Sequence, residues 1–184
     1  MSMVAVILAE GFEEIEALTT VDVLRRAKIE VKTLSLNGVN EVKGSRNIKV
    51  VADGLFEDIN KEEIDMLVLP GGMDCRNNMA AHEGLKETLL AQNKSQKKIA
   101  AICAAPTVLG RIGILEGIDA VCYPGELEKE LKGRVVPEMG VTTVTCENIT
   151  TSSGPATAME FALELVRVLK GEKIAEEVAS GLLY

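Results

Sequence analysis

Lys98-Ile99-Ala100-Ala101-Ile102-Cys103-Ala104-Ala105-Pro106 is the stretch that decides the fold. An apolar run short enough for a buried strand delivers Cys103 to a sharp turn, and a helix-like segment, Thr107 to Leu115, follows Pro106. Strand, turn and helix in that order make a nucleophile elbow, in which one side chain stands out above the sheet. So tight a reversal demands small neighbours, and Ala101, Ala104 and Ala105 supply them. A cysteine there lies at the positive end of a helix, so the expectation is a thiol that ionises below its usual value near pH ~8.5. The plain alternative is a small buried hydrophobe.

Outward from the elbow, apolar strands alternate with helical patterns. Met3 to Ala9 reads as a buried strand, and Glu14 to Ala27 as a helix with Ile15, Leu18, Val21 and Leu24 on one side. Val31 to Leu36 is a second strand, Asp65 to Leu69 a third that ends in Pro70-Gly71-Gly72, Glu83 to Gln92 a helix, and Ile99 to Ile102 the elbow strand. Alternation of this kind predicts an α/β fold, a parallel sheet with helices on both faces. Ala120 to Cys122, Val141 to Thr145 and Ile149 to Ser152 read as further strands. Gly154-Pro155 introduces a long helix with Ala158, Phe161, Ala162, Leu165 and Leu169 at helical spacing, which Gly171 stops. Glu172 to Ser180 adds a short helix, and Asn37 to Asn47 is a hairpin or an excursion from the sheet. Neither a repeat nor a linker divides residues 1–184, so one domain is expected.

At 184 residues and 47% hydrophobic the chain is long enough to bury a core without disulfides or metal. Cys75, Cys103, Cys122 and Cys146 are widely spaced with no C-x-x-C pair, which signals neither a zinc site nor a disulfide framework and suits a reducing compartment. The run Met3 to Ala9 has no basic leader and is too short for a signal peptide or a membrane span, so a soluble cytoplasmic protein is expected, with no membrane partner. A net charge of −8 argues against nucleic acid, and Arg25-Arg26 and Lys97-Lys98 read as solvated pairs. With no Trp, two Tyr and three Phe, rings for stacking bases or a flavin are scarce. No cofactor and no metal is implied.

In an open parallel sheet, ligands bind beyond the carboxyl ends of the strands. Glu10 to Glu16, Gly71-Gly72 and Cys103 should meet there. A phosphate cradle needs a Gly-rich or Ser/Thr-rich first loop, whereas this one carries Glu10, Glu13, Glu14 and Glu16 and would repel nucleotides. What remains is a thiol facing a carboxylate. A glutamate beside a thiolate in a partly buried pocket has its pKa raised by desolvation and like charge, so the pair shares one proton. The N–H groups of Gly72 and Ala104 are candidate oxyanion donors, and Gly71 lets backbone come close; a plain tight turn is the alternative for the glycines.

Ala9-Glu10-Gly11-Phe12-Glu13-Glu14-Ile15-Glu16, Val21-Asp22-Val23-Leu24-Arg25-Arg26, Val68-Leu69-Pro70-Gly71-Gly72, the elbow Ala100 to Pro106, and Thr151-Ser152-Ser153-Gly154-Pro155-Ala156-Thr157 occur in order over essentially the whole chain. Together they resemble the ThiJ/PfpI superfamily, and within it the parkinsonism-associated protein deglycase clade with its bacterial YajL-like members. The resemblance implies a flavodoxin-like (Rossmann-like) three-layer sandwich, a homodimer, and an easily oxidised elbow cysteine at Cys103. It puts the family's protonated glutamate on Glu16, backbone donors on Gly72 and Ala104, and Glu13, Arg46, Gly71 and Pro155 near the pocket or dimer interface. The activities it implies are cofactor-independent glyoxalase chemistry, deglycation of glyoxal-modified thiols and amines, and stress-linked chaperone or peroxide-sensing roles.

Two departures from the family bear on activity. Protease-like members place a histidine directly after the cysteine, where this chain has Ala104, and some relatives have a histidine at the position of Tyr123. Peptidase activity is therefore not expected. The single histidine, His82, reads as solvent-facing at a helix start. Cys75 reads as a loop thiol or as a resolving partner for Cys103, Cys122 and Cys146 as core residues, and Glu10 and Glu14 as acids favoured at a helix N-terminus.

The leading functional reading is an enzyme that uses Cys103 and Glu16 on small α-oxoaldehydes, or on their thiol and amine adducts. The alternative is a peroxide sensor or redox-regulated chaperone built on the same thiol. A small-amide hydrolase ranks third, since no general-base histidine is visible.

Overall fold

Six consecutive apolar residues make β1 (Met3–Leu8), and every one of them is buried. A run with no polar alternation suits only a strand covered on both faces. The structure is a computed structural model that describes residues 3–136 and 141–184. β1 is followed by α1 (Glu14–Arg26), β2 (Glu30–Ser35), the hairpin strands β3 (Glu41–Lys43) and β4 (Lys49–Val51), and β5 (Gly54–Leu55). Next come β6 (Ile64–Leu69), α2 (Met73–Ala81), α3 (Glu83–Lys94), β7 (Lys98–Ile102) and α4 (Pro106–Arg111). The chain continues through β8 (Asp119–Ala120), α5 (Glu128–Leu131), β9 (Arg134–Val135), β10 (Thr143–Cys146), β11 (Ile149–Ser152), α6 (Ala158–Lys170) and α7 (Glu172–Gly181).

Seven strands form one sheet in the order β10-β11-β7-β6-β1-β2-β5. All neighbours run parallel except β10, which turns back antiparallel on β11 at the edge. The connection from β1 runs to β2 on one side, whereas that from β6 runs to β7 on the other. Right-handed crossovers in opposite directions put α1 with α6 and α7 over one face, and α2 and α3 over the other. The expected flavodoxin-like α/β architecture, a mostly parallel sheet with helices around it, is thus present. β1 and β6 flank the point where the connections diverge, which is where such sheets bind ligands.

The core holds all three phenylalanines, Phe12, Phe56 and Phe161, with the apolar faces of β1, β6 and β7. No helix among the described residues is long and apolar enough to cross a membrane.

Several boundaries differ from expectation. The helix after the elbow stops at Arg111 instead of Leu115, and Gly113 turns the chain at φ +81°; within the helix Gly110 lies so close to α5 that an added Cβ would come 2.0 Å from the Leu131 carbonyl oxygen. Helix α2 has no apolar stripe that would reveal it, and only Cys75, Arg76 and Met79 on it are buried. The Asn37–Asn47 excursion resolves into the β3–β4 hairpin, which continues to Val51. The strand expected at Ala120 to Cys122 is the two-residue β8, paired with β9 outside the main sheet. On α1 the buried side carries Ala17, Thr20, Val21 and Leu24, so Ile15 and Leu18 face outward instead of sharing that stripe.

Candidate active site

The elbow is built by backbone. Cys103 adopts φ +63°, the left-handed region that side chains with a Cβ avoid, as a nucleophile elbow requires. Its N–H donates to the Ser152 carbonyl at the end of β11 (2.9 Å), and its own carbonyl accepts from Tyr123 N–H (2.8 Å). Tied on both sides, the strained residue cannot relax. The N–H groups of Ala104 and Gly72 both face its sulfur.

Glu16 reaches the same point from α1. It is the third residue of that helix, not part of the loop before it, and is completely buried. Glu13 caps the helix, its Oε2 accepting from the Glu16 N–H at 2.9 Å. Oε2 of Glu16 accepts from Gly71 N–H at 2.7 Å, the carboxyl meets the Cys103 thiol, and Oε1 has no nitrogen or oxygen partner. Gly71 is glycine because there is no room: an added Cβ would lie 2.6 Å from Glu16 Oε2 and 2.7 Å from the Cys103 Cβ.

Electrostatics here follow from burial. Desolvation raises Glu16 to about 7, with Glu13 adding to the rise, against the hydrogen bonds from Gly71 and the thiol. Cys103 is pushed up to about 12 by desolvation and by the Glu16 carboxylate, which outweigh the Ala104 and Gly72 N–H groups. This corrects the expectation of a thiol ionising below its usual value. Helix α4 has only six residues, so its dipole is weak, and the adjacent carboxylate opposes a second negative charge. Between those two steps the pair holds a single proton on the sulfur side, whereas the expectation was a protonated Glu16 beside a thiolate; burial of the thiol next to a carboxylate is the reason.

Above the pair opens a cleft of about 560 Å³. Glu13, Arg46, Gly72, Ala104 and Pro155 line it with Cys103, as do Gly11 of the first loop and Tyr123; Ser45, Met73, Asp74 and Leu127 also line it and carry no sequence signal for a pocket. Gly71 lies beneath, between Glu16 and Cys103. Arg46 reaches the cleft because Glu14, itself buried, accepts from Arg46 N–H (2.7 Å), Ser45 Oγ (3.1 Å) and Ile48 N–H (3.4 Å). Burial opposes the Glu14 charge, yet these donors hold its pKa below the ordinary value. Glu14 is thus more than an acid at a helix start, and only its contacts across 31 or more residues reveal that.

Cys75 lies on α2, fully buried, its thiol raised to about 12 by desolvation. The loop-thiol reading of it is thereby corrected. Cys122 is buried, while Cys146 is half-buried on the edge strand instead of in the core. His82 is not solvent-facing: its Nδ1 accepts from Leu85 N–H (3.1 Å) as the cap of α3, its ring packs edge-on against Phe56, and Nε2 pairs with Glu57 (3.2 Å). Groups of three or more side chains suited to hold a metal are absent among the described residues.

The chain as a whole is similar to other proteins. The chain is 40% identical to the fruit-fly (Drosophila melanogaster) protein dj-1beta over 178 residues, which are 97% of this chain and 95% of the relative. The crystal structure of that Drosophila protein superposes with a TM-score of 0.94, covering 100% of this chain and 98% of the other. The chain is also 34% identical to a Caenorhabditis elegans protein named glutathione-independent glyoxalase DJR-1.2, over 88% of this chain and 85% of that one. A model of the DJ-1/PfpI family matches residues 2–168, and with the elbow, the buried glutamate and the sheet in place, the chain belongs to that family.

Proposed function

We propose that this chain is a cysteine-dependent glyoxalase or deglycase acting on methylglyoxal or on glyoxal-derived thiol and amine adducts. The observation that carries the proposal is the contact between the buried Glu16 carboxyl and Cys103 at the floor of an open cleft, with two backbone N–H groups facing the sulfur. The glyoxalase name of the nematode relative supports the substrate class. The motif set supports a place with the parkinsonism-associated deglycase clade and its bacterial YajL-like members. Free thiols support a reducing, cytoplasmic setting.

The reaction begins when the pair's proton sits on Glu16 and the sulfur is a thiolate. Sulfur attacks the aldehyde carbon of methylglyoxal, the carbonyl π electrons move to oxygen, and Glu16 protonates that oxygen to give a hemithioacetal. Glu16, now a carboxylate, takes the hydrogen from C1 and delivers it to the ketone oxygen, forming an enediol. It next takes the proton of the C1 hydroxyl and delivers it to C2, leaving a 2-hydroxy thioester. Water adds to the thioester carbonyl as Glu16 takes one of its protons, and the thiolate departs, releasing lactic acid and restoring protonated Glu16 beside the thiolate. C1 has been oxidised to the acid level and C2 reduced to the alcohol level, so no external oxidant or cofactor takes part. Gly72 and Ala104 N–H groups steady negative charge on sulfur or on the adjoining oxygen. Deglycation starts the same chemistry from an adduct.

The test is methylglyoxal loss and lactate formation by the wild type, Cys103→Ser and Glu16→Gln, with cysteine alkylation followed on the same samples. Both variants are expected to lose turnover. Glu16→Gln should nevertheless alkylate at lower pH, because the opposing carboxylate charge is gone. Full lactate formation by Cys103→Ser would overturn the proposal.

A second reading is favoured by the half-exposed position of Cys103 beside buried Cys75 and Cys122. Peroxide would reach this thiol before Cys75 or Cys122, and the N–H groups and protonated Glu16 would hold the resulting sulfinate, as in a sensor or redox-regulated chaperone.

We also propose a homodimer, supported by Ile15, Leu18, Ile48 and Val51, which are large apolar side chains left exposed on α1 and the β3–β4 hairpin. Light scattering after gel filtration tests it: a monomer at micromolar concentration overturns it.

A further inference from the structure

Arg76 is a guanidinium on α2 whose side chain is only 5% exposed. A buried arginine must have every donor face satisfied, and the partners here span three elements. Its Nε donates to Thr107 Oγ1 on α4 (2.9 Å), Nη1 to Asn77 Oδ1 (2.9 Å), and Nη2 to Glu130 Oε2 on α5 (2.7 Å). Arg111 donates to the same Glu130 oxygen (2.5 Å), so the acid pairs with two cations and its pKa is held down by both.

The Thr107 contact leads to the sulfur. Thr107 is completely buried, and its hydroxyl, having accepted from Arg76, donates to the Ala104 carbonyl (2.7 Å). At the other end of Arg76, its backbone N–H donates to the Gly72 carbonyl (2.9 Å). Ala104 and Gly72 are the two residues whose N–H groups face Cys103 sulfur. One residue therefore ties both donors: Gly72 through the first turn of α2, and Ala104 through a two-bond relay.

We propose that Arg76 is a positioning residue that sets, through Thr107, the spacing of the Gly72 and Ala104 N–H groups around the Cys103 sulfur. Arg76 touches neither the sulfur nor the cleft. Glu130 is itself partly exposed, so this ion pair adds little net stability, and its value here lies in direction, with a planar fork holding two helices at fixed registry. A substrate-charge role does not fit, because the guanidinium is spent on protein acceptors.

The inference rests on the thiol reading above, but its main readout does not depend on turnover. The pH profile of Cys103 alkylation, followed by peptide mass, is compared for wild type, Arg76→Met, Arg76→Lys, Thr107→Val and the double variant Arg76→Met/Thr107→Val. The groups that face the thiol and cleft, Glu16, Glu13, Arg46, Asp74 and Tyr123, are the same in all. Looser N–H groups stabilise a thiolate less, so each single variant should move the midpoint upward by about 0.5 pH unit or more. The double variant should move it no further than the larger single, and Arg76→Lys should fail to restore it, since a lysine lacks the fork. Where methylglyoxal turnover is present, kcat should fall about tenfold with KM within about twofold. Folded variants whose alkylation profiles overlay the wild type, or whose shifts add, overturn the inference; a lowered melting temperature alone would mean Arg76 is only structural. Absence of turnover in the wild type would defeat the proposed function while leaving the alkylation comparison intact. Thr107→Val keeps the comparison decisive should Arg76→Met not fold.

Discussion

Gly71 and Glu16 are in contact through a single hydrogen bond, 2.7 Å from the glycine N–H to Oε2, with no space between them for even one methyl group. Gly71→Ala would push a carbon within 2.6 Å of that oxygen and 2.7 Å of the Cys103 Cβ. Overpacking at a rigid site costs about 1–3 kcal/mol, and a misplacement near 1 Å of reacting groups costs about 100-fold in rate. Urea unfolding and methylglyoxal turnover on the same preparation check both halves of this expectation. A variant as active and stable as wild type would mean that the pair tolerates separation.

Glu16 makes a signed prediction about stability. Its folded pKa, about 7, lies above its ordinary 4.5, so between those values the native chain holds a proton that the unfolded chain has released. Stability contributed by this group is therefore fully present below pH 4.5 and is lost as pH rises to 7. Glu16→Gln has no such loss and should exceed the wild type at pH 8 by roughly 3 kcal/mol at most. Denaturant midpoints from pH 4.5 to 8 test this, and a flat wild-type profile over that range would contradict it.

Glu14 should matter to the cleft although it does not line it. Glu14→Ala removes the acceptor of Arg46 N–H, Ser45 Oγ and Ile48 N–H, leaving donors of the hairpin loop unpaired. Hydrogen bonds to a charged acceptor are worth about 1.5–3 kcal/mol, and a loss in that range is expected. Arg46 and Ser45 would also lose their place on the cleft wall, so KM should rise more than kcat falls. Glu14→Gln keeps an acceptor and should fall between. Equal KM values in all three proteins would show that the loop is held by other contacts.

Mild peroxide should oxidise the cysteines in order of access. Cys103 is partly exposed to the cleft, whereas Cys75 and Cys122 are buried; burial raises all three thiols to about 12, so access and not ionisation separates them. The mass of the Cys103 peptide is expected to gain two oxygens while Cys75 and Cys122 stay reduced, and Glu16→Gln should accumulate less of that sulfinate. Uniform oxidation of all four cysteines would remove support for a sensor.

Much of the sheet was legible in the chain because its strands are continuous apolar runs, a pattern that only doubly covered strands require. Met3 to Leu8, Ile64 to Leu69 and Lys98 to Ile102 fall within one residue of their expected limits. Helix α2 was not legible, since a helix held by one buried arginine, one cysteine and one methionine carries no periodic stripe. The Ile15 and Leu18 side of α1 misled for the converse reason: apolar spacing marks a face but does not say what covers it.

Sequence alone determined the strand–turn–helix succession at the elbow, the residue that stands there, and the glutamate-rich first loop, because these follow from local patterning and from the small residues that a strained turn demands. Only the tertiary structure decided how Glu16, already singled out by the motif resemblance, meets the thiol, that Gly71 must be glycine, that Glu14 holds the hairpin, and that Arg76 joins two helices to the elbow. Those are contacts between residues 30 to 60 apart, and no local pattern encodes them. The thiol's ionisation was decided the same way: a helix terminus argues for a low value, but burial and a neighbouring carboxylate are stronger, and both exist only once the chain has folded.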